Sequence, residues 1–212
     1  MAKAEATLKD ANAETPSGKR LLIVEAAARV FLDFGYGAAS MDAIAAEAGV
    51  SKQTVYSHFG AKEALFEAII EDKCNELLAP VFEAFRPGHD HAKALDEVAR
   101  RFLSVILAPP NTALFRVIVA ESVRFPELAN AFYRAGPQIA VDNLAGYLKE
   151  LDGAGVIATN DPVASARQFF ALLRGDLYMR RLLDLAPEPT AAEVAAVADE
   201  AVTGFLAIHA PG

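Results

Sequence analysis

Apolar residues recur every three or four positions along almost the whole chain, which is the spacing of one face of an α-helix. In the segment that begins at Lys19, this stripe consists of Ile23, Ala26, Ala27, Val30, Phe31 and Phe34. A half-buried β-strand would instead alternate apolar and polar residues, and the sequence contains no credible run of alternating β-branched residues. The periodicity therefore predicts an all-α protein.

Glycine residues divide the N-terminal part of this pattern into separate helices. A first helix is predicted to run from Lys19 to a left-handed stop at Gly35. Ser40 is a suitable N-cap for a short helix that ends at Gly49, and Ser51 for another that runs to about Phe59 and halts at Gly60.

The rest of the chain is also predicted to be helical. A longer helix follows from Ala61 or Lys62 to about Phe85, and further helices are predicted at 90–107, 111–124, 126–151, 162–185 and 190–209. The Gly136-Pro137 step should kink the 126–151 helix, because proline removes a backbone donor and clashes with the preceding turn.

Composition favours a globular protein of the cytoplasm. Hydrophobic residues make up 53% of the 212 positions, which is enough for a sizeable core. A lone cysteine, Cys74, cannot form an intramolecular disulfide, so the protein is expected in a reducing compartment. Residues 1–18 lack the apolar core of a signal peptide and are predicted to be a disordered tail, and no run approaches the roughly 18 apolar residues of a membrane span.

Charge is unevenly distributed along the chain. The formal net charge is −8, yet residues 1–62 contain seven Lys or Arg and seven Asp or Glu. The other 150 residues contain 13 basic and 21 acidic side chains. A negative body is repelled by a polyanion, which argues against DNA binding over the whole surface but permits a small, locally cationic DNA-binding part.

The segment 48–65, AGVSKQTVYSHFGAKEAL, has the features of a helix-turn-helix, in which a second helix enters the major groove. Val55 and Phe59 share one side of the 52–59 helix and are predicted to pack on Ile44, Ala45 and the first helix. The opposite side and its flanks carry Gln53, Thr54, Tyr56 and Ser57. An ordinary solvated helix is the alternative, but exposed helices normally mix both charge signs and no acidic residue occurs from Gly49 to Lys62.

Three positions are candidates for phosphate contacts. Lys52 lies at the start of the second helix, where free backbone N–H groups also favour an anion. Lys62 begins the following helix, and Ser40 is the third candidate.

Residues 21–66 resemble the DNA-binding domain of the TetR family of transcriptional regulators. The resemblance is carried by Ala26-Ala27, Phe31, Gly35-Tyr36, Ser40, Ile44-Ala45, Ala48-Gly49-Val50-Ser51, Tyr56, Phe59 and Lys62-Glu63-Leu65. It implies a three-helix DNA-binding domain over 19–66, a continuous helix leading from it, and a homodimer that binds a palindromic operator. It places these residues at or near DNA: Ser40, Ser51, Lys52, Gln53, Thr54, Tyr56, His58 and Lys62. Gln53 departs from the small residue often found there, which could alter base preference.

The segment 114–138 resembles the ligand domain of AefR-like members of this family, which implies that residues 67–212 bind an effector and dimerise. The predicted ligand-binding side chains are Phe102, Phe115, Glu121, Phe125, Tyr133, Phe170, Arg174 and Tyr178. Most of the aromatic residues in this part of the chain are expected to pack in the core, and a buried ion pair or a surface contact is the alternative for the charged ones. The helices at 162–185 and 190–209 are rich in small residues that suit close packing, internally or, as we favour, across a dimer.

The resemblance implies a ligand-responsive regulator, most often a repressor in this family, with no cofactor. The alternative is a helical scaffold or partner-binding module that does not touch DNA. Catalysis is not expected, because the four histidines form no HExxH motif and Cys74 has no evident base partner. His89 and His91 could ligate a metal, but a solvated loop with Asp90 as an N-cap is favoured.

Overall fold

The computed structural model describes residues 16–86 and 88–211, with side chains from residue 18 onward in these ranges. No strand occurs in this part of the chain. The helices are α1 (Pro16–Ala38), α2 (Met41–Ala48), α3 (Lys52–Phe59), α4 (Lys62–Phe82), α5 (His91–Leu107), α6 (Pro109–Glu121), α7 (Pro126–Tyr133), a π-helical turn (Arg134–Gln138), α8 (Ile139–Gly153), α9 (Pro162–Leu173), α10 (Asp176–Leu182) and α11 (Ala191–Ile208). The predicted all-α fold is confirmed.

The chain divides into two compact units, residues up to Lys73 and residues from Cys74 onward, and the division falls within α4. The predicted tail, 1–18, lies mostly outside the described residues, and its last three residues form the start of α1. Among the described helices, none is by itself long and apolar enough to cross a bilayer, and α5 and α6 meet that test only as a pair bent by 65°.

The N-terminal unit is organised around one apolar core to which α1, α2, α3 and α4 all contribute. Most of the stripe predicted on α1 faces this core, since Ile23, Ala27 and Val30 are buried in it. Its last predicted member, Phe34, is instead 65% exposed. Ile44 of α2 and Val55 of α3 are fully buried in the same cluster, with Phe59 packed against its edge. The predicted packing of the 52–59 helix on α1 and α2 is confirmed.

Gly35 has the positive φ that was predicted, with φ 75° and ψ 159°. Helical geometry is interrupted at this residue, and a separate short helical turn follows it to Ala38. The first helix therefore stops at Gly35, as predicted, and the chain kinks there. The extra turn places Tyr36 and Ala39 in buried positions, where Tyr36 packs against Phe31 and Phe66 with ring centroids 5.4 and 5.3 Å apart.

The C-terminal unit is a bundle in which α8 packs on α9, α5 on α11, and α9 on α11. Its centre is aromatic: Phe169 of α9 meets Phe205 of α11 edge to face, with ring centroids 5.2 Å apart, and both side chains are fully buried. Edge-to-face contacts of this kind add to the stabilisation that burial alone supplies.

The prolines in two segments of the C-terminal unit occupy different positions in their helices. At Gly136-Pro137, where a kink was predicted, a π-helical turn interrupts the α-helix and accommodates the missing N–H of Pro137. A Cβ atom at Gly136 would lie 3.4 Å from Sγ of Cys74, so α4 passes close to this turn. In contrast, Pro109 and Pro110 do not precede α6 but open it, as proline commonly does in the first turn.

Other predicted boundaries need correction. The helix expected at 162–185 is two helices, α9 and α10, because Arg174 leaves helical geometry and Gly175 is extended. The helix expected to reach Phe85 ends at Phe82. The start predicted near residue 90 is confirmed, since Asp90 caps α5 by accepting a hydrogen bond from the Lys93 N–H over 2.9 Å.

Candidate nucleic-acid interface

Helices α2 and α3 are joined by a turn whose caps were visible in the sequence. Ser40 accepts a hydrogen bond from the Ala43 N–H over 3.1 Å, and Ser51 accepts one from the Thr54 N–H over the same distance. Gly49 between them adopts the left-handed conformation, with φ 66° and ψ 28°. A residue with a Cβ is disfavoured in that conformation, so Gly49 sets the angle at which α3 leaves α2.

The outward face of α3 presents Gln53 and Tyr56. Both side chains are exposed, Tyr56 to 44%, and Val55 between them is fully buried. Within residues 18–86 and 88–211, neither the Gln53 amide nor the Tyr56 hydroxyl has a hydrogen-bond partner. These two groups are therefore free to bond to base edges or phosphates.

Several other predicted DNA-binding groups are already engaged within the protein. Thr54 is half-buried, and its hydroxyl lies 2.8 Å from that of Ser51. The Ser57 hydroxyl donates to the Thr54 carbonyl, and the half-buried His58 ring packs near Phe59. These contacts stabilise the start and the end of α3. The sequence does not reveal them, because capping and DNA binding favour the same small polar residues.

Lys52 is paired with a carboxylate. Its ammonium lies 2.7 Å from Oδ1 of Asp42 in the first turn of α2, and 5.9 Å from the centroid of the Tyr56 ring. The hydrogen bond to Asp42 raises the pKa of Lys52. Both side chains are more than half exposed, so the pair remains accessible to solvent and to phosphate. Asp42 was not predicted to be the partner of Lys52, because it lies ten positions earlier in the chain.

Lys62 occupies a different environment from the one expected of a phosphate contact. Its ammonium donates to the main-chain carbonyls of Tyr36 over 2.8 Å and Ala39 over 3.1 Å, and lies 4.4 Å from the centroid of the Tyr36 ring. It thereby fixes the end of α1 and the residue that follows it to the start of α4. One of its three donors remains for a phosphate.

Four of the predicted ligand-binding residues lie together in the C-terminal unit. Phe102 and Phe170 are buried core residues whose ring centroids are 4.5 Å apart, and the Arg174 guanidinium lies 5.6 Å from the Phe102 centroid. Burial raises the pKa of the Tyr178 hydroxyl, and the charge of Arg174 opposes that shift. A core role for both phenylalanines is thus established, with Arg174 and Tyr178 at their edge.

The other four predicted ligand-binding residues lie on α6 and α7 or between them. Phe115 packs against Phe132 with ring centroids 5.5 Å apart, and Phe125 is half-buried. Tyr133 is 53% exposed and Glu121 is half-buried. The buried ion pair considered for the charged side chains is not formed among the described residues: Arg174 is exposed, and Glu121 has no basic partner.

A groove of about 370 Å³ lies elsewhere in the C-terminal unit. It is lined by Arg100, Ser104, Leu107, Ala108, Glu188, Pro189, Ala191 and Val194. None of the predicted ligand-binding residues lines this groove. Its walls come from the end of α5 and the start of α11, and nothing in the local sequence pattern brings these segments together.

The His89-Asp90-His91 segment has a structural part in the fold. The carboxylate of Asp90 serves as the N-cap of α5, and its hydrogen bond from the Lys93 N–H lowers the pKa of Asp90. Among the described residues, no group of three His, Cys, Asp or Glu side chains is placed to hold a metal ion.

Two family descriptions match the chain. Residues 23–69 match "Bacterial regulatory proteins, tetR family", and residues 93–211 match "AefR-like transcriptional repressor, C-terminal domain". The second match covers more than half of the chain. The protein belongs to the TetR family. Members of this family are DNA-binding transcriptional regulators that bind small-molecule ligands and act as dimers.

Individual relatives agree with this assignment. The flavonoid-responsive regulator FrrA has a structure with a TM-score of 0.83 and 36% identity, covering 91% of this chain and 97% of FrrA. A TetR-family regulator from Mesorhizobium loti has a TM-score of 0.79 and 30% identity, covering 93% and 100%. The transcriptional activator FasR of Mycolicibacterium smegmatis is 38% identical over 88 residues, which are 42% of this chain and 40% of FasR. The chain thus spans about two fifths of this curated relative.

Replacing Lys62 with Met tests its contacts with the carbonyls of Tyr36 and Ala39. The substitution keeps an unbranched side chain of nearly the same length but leaves two acceptors on buried residues without their donor, which should lower the free energy of unfolding by about 1–2 kcal/mol. Chemical denaturation of the full chain measures this, and faster amide exchange at Ala39 locates it. Lys149→Met, an exposed change on α8, is the control and should alter stability by less than about 0.5 kcal/mol. Equal stability of the two variants would rule out a structural role for the Lys62 ammonium.

Proposed function

We propose that the protein is a ligand-responsive repressor that binds a palindromic operator as a homodimer and is released by a small, largely apolar effector. The observation that carries the DNA-binding part is the arrangement of α3: Gln53 and Tyr56 are exposed, while Val55 is buried and Ser51 caps the helix. Among the described residues, the Gln53 amide and the Tyr56 hydroxyl have no hydrogen-bond partner. In helix-turn-helix proteins, the N-terminal residues of the second helix contact base edges.

We assign three exposed residues of α3, and Lys62 of α4, a contact with either a base or a phosphate. Gln53 can form two hydrogen bonds with adenine, and Tyr56 can bond to a phosphate or a base. Lys52 and the N-terminal backbone of α3 supply a phosphate site, and the remaining donor of Lys62 supplies another. Such a regulator would act in the cytoplasm, where the chromosome lies. The domains are proposed as 19–66 for DNA and 67–212 for effector and dimerisation.

The proposed dimer uses the last two predicted helices, which are α9, α10 and α11 in the structure. Helices α9 and α11 pack against one another and expose small residues along their outer sides. These residues are Ala164 and Ala171 on α9, and Ala192, Ala196 and Ala207 on α11. Small side chains allow the close approach of helices that a four-helix contact between two protomers requires. A dimer would present two α3 helices to half-sites about 34–36 Å apart.

The proposed effector would bind beside Phe102, Arg174 and Tyr178, at the edge of the aromatic core. Apolar and aromatic walls with a few polar groups are typical of small-molecule sites. FrrA, a similar protein, is described as flavonoid-responsive, which supports an aromatic ligand here. The effector would favour one arrangement of the C-terminal bundle and change the position of α4, and with it the distance between the two α3 helices.

A repressor is proposed because the C-terminal match is to AefR-like repressors. FasR, whose match is shorter, is an activator. The direction of regulation therefore needs its own measurement, namely transcription from the operator with and without the protein.

Selection of binding sites from random duplexes tests the DNA-binding proposal. Full-length protein should enrich a palindrome. Tyr56→Ala should lose that enrichment, and Tyr56→Phe, which removes only the hydroxyl, should weaken operator binding by about 1 kcal/mol. Lys149→Ala on α8 is the control and should select the same palindrome as the unchanged protein. Absence of any enriched sequence at moderate salt would instead favour a scaffold that does not bind DNA.

Ala171→Arg tests the proposed dimer. A long cationic side chain in a contact built from alanines should prevent close packing of the helices, so sedimentation velocity should show monomers. Affinity for the palindrome should fall, since two half-sites are no longer bound together. The matched control is Ala79→Arg on α4, which is also exposed and lies outside the proposed contact. A dimeric Ala171→Arg protein would place the interface elsewhere.

Titration with a panel of flavonoids tests the effector site. A flavonoid that binds should weaken DNA binding, and DNA should weaken flavonoid binding by the same factor, because coupling between two sites is reciprocal. Arg174→Met should reduce flavonoid affinity about tenfold through loss of a cation–π or polar contact, without altering DNA affinity in the absence of flavonoid. Arg180→Met, an exposed arginine on α10, is the control. If Arg174→Met and Arg180→Met bind alike, the site does not include Arg174.

A further inference from the structure

Helix α3 contains a single Lys or Arg, and a carboxylate of the same protein forms an ion pair with it. Lys52 is that residue, and its Nζ lies 2.7 Å from Oδ1 of Asp42. The only other acidic side chain on α2, Glu47, is paired elsewhere: it accepts a hydrogen bond from Nε of Arg29 over 2.8 Å. The two carboxylates of α2 thus have separate cationic partners.

We propose that Asp42 competes with the DNA backbone for Lys52, so that α3 contacts a phosphate only by giving up this ion pair. The inference rests on the DNA-binding function proposed above and assigns a regulatory part to a residue outside α3. Its effect is a lower affinity for DNA of every sequence. Discrimination between sequences is left to Gln53 and Tyr56, which have no such competitor among the described residues.

The position of Asp42 strengthens this competition. It lies in the first turn of α2, where the helix dipole favours a negative charge. In a helix-turn-helix, the first helix crosses the DNA backbone, and a helix N-terminus is otherwise a favourable place for a phosphate. The carboxylate of Asp42 therefore occupies a place that would attract a phosphate, and it also holds the lysine that would bind one.

The ion pair between Lys52 and Asp42 is weak enough for a DNA phosphate to replace Asp42. Its side chains are 58% and 66% exposed, and solvent-exposed pairs of this kind contribute only a few-fold to an equilibrium constant. A duplex offers many phosphates at high local charge density, so DNA can displace Asp42. The displaced carboxylate then lies near the backbone without a partner, which reduces the benefit of the phosphate contact and the release of counterions.

The experiment compares full-length protein with Asp42→Asn, which keeps the size and position of the side chain but removes its charge. Fluorescence anisotropy over a range of salt concentrations measures binding to the selected operator and to a scrambled duplex of equal length. Asp42→Asn should tighten binding to both duplexes by the same factor, about three- to fivefold at low salt. The slope of log affinity against log salt should steepen by up to about 0.9.

Two further variants isolate the pair. Glu47→Gln removes the other charge of α2 and should change neither affinity nor slope. In a Lys52→Gln background, the addition of Asp42→Asn should tighten binding by less than about 1.5-fold, because the residue for which Asp42 competes is gone. Circular dichroism at the assay temperature establishes that each variant is folded.

The outcomes are distinct. If Asp42→Asn weakens operator binding and leaves the scrambled duplex unaffected, Asp42 contacts a base, for example the N4 amino group of cytosine, and the inference is overturned. If Asp42→Asn and the unchanged protein bind both duplexes equally, Asp42 does not compete and the inference also fails, while the DNA-binding function stands. Failure of the unchanged protein to bind either duplex would remove the DNA-binding function itself.

Discussion

The geometry of the DNA-binding unit depends on the burial of Val55. This side chain is fully buried in the core that α1 and α2 also form, and it lies between Gln53 and Tyr56 in the sequence of α3. A helix turns by 100° per residue, so a fixed Val55 also fixes the directions of its neighbours. The orientation of the exposed polar groups is therefore determined by an apolar contact, and the left-handed turn at Gly49 sets the approach of the whole helix.

Local features of this unit could be predicted from the sequence because they depend on residues a few positions apart. The caps at Ser40 and Ser51 and the buried side of α3 follow from spacing alone. The partners of Lys52 and Lys62 could not be predicted in this way, since Asp42 and Tyr36 lie 10 and 26 positions away. Which cation is satisfied inside the protein, and which is free for DNA, is decided by tertiary contacts.

In the C-terminal unit, too, contacts between distant parts of the chain could not be predicted from the sequence. Periodicity predicted its helices, and the expected aromatic core is present, although it includes Phe102 and Phe170, which were predicted to bind a ligand. The groove between the end of α5 and the start of α11 could not be predicted, because its residues, such as Ser104 and Glu188, come from distant parts of the chain. The effect of each proline on its helix could not be predicted either, since Pro109 begins α6 whereas Pro137 lies within a π-helical turn.

The π-helical turn at Arg134–Gln138 also determines the rotational phase of α8. A π turn contains about one more residue than an α-helical turn, which rotates everything after it by about 100° relative to an uninterrupted helix. In the observed phase, Leu144 and Leu148 are fully buried. Without the extra residue, the same two leucines would be turned away from the core by more than a quarter of a circle. The apolar pattern of α8 is therefore in register with the bundle only because the preceding turn is wide.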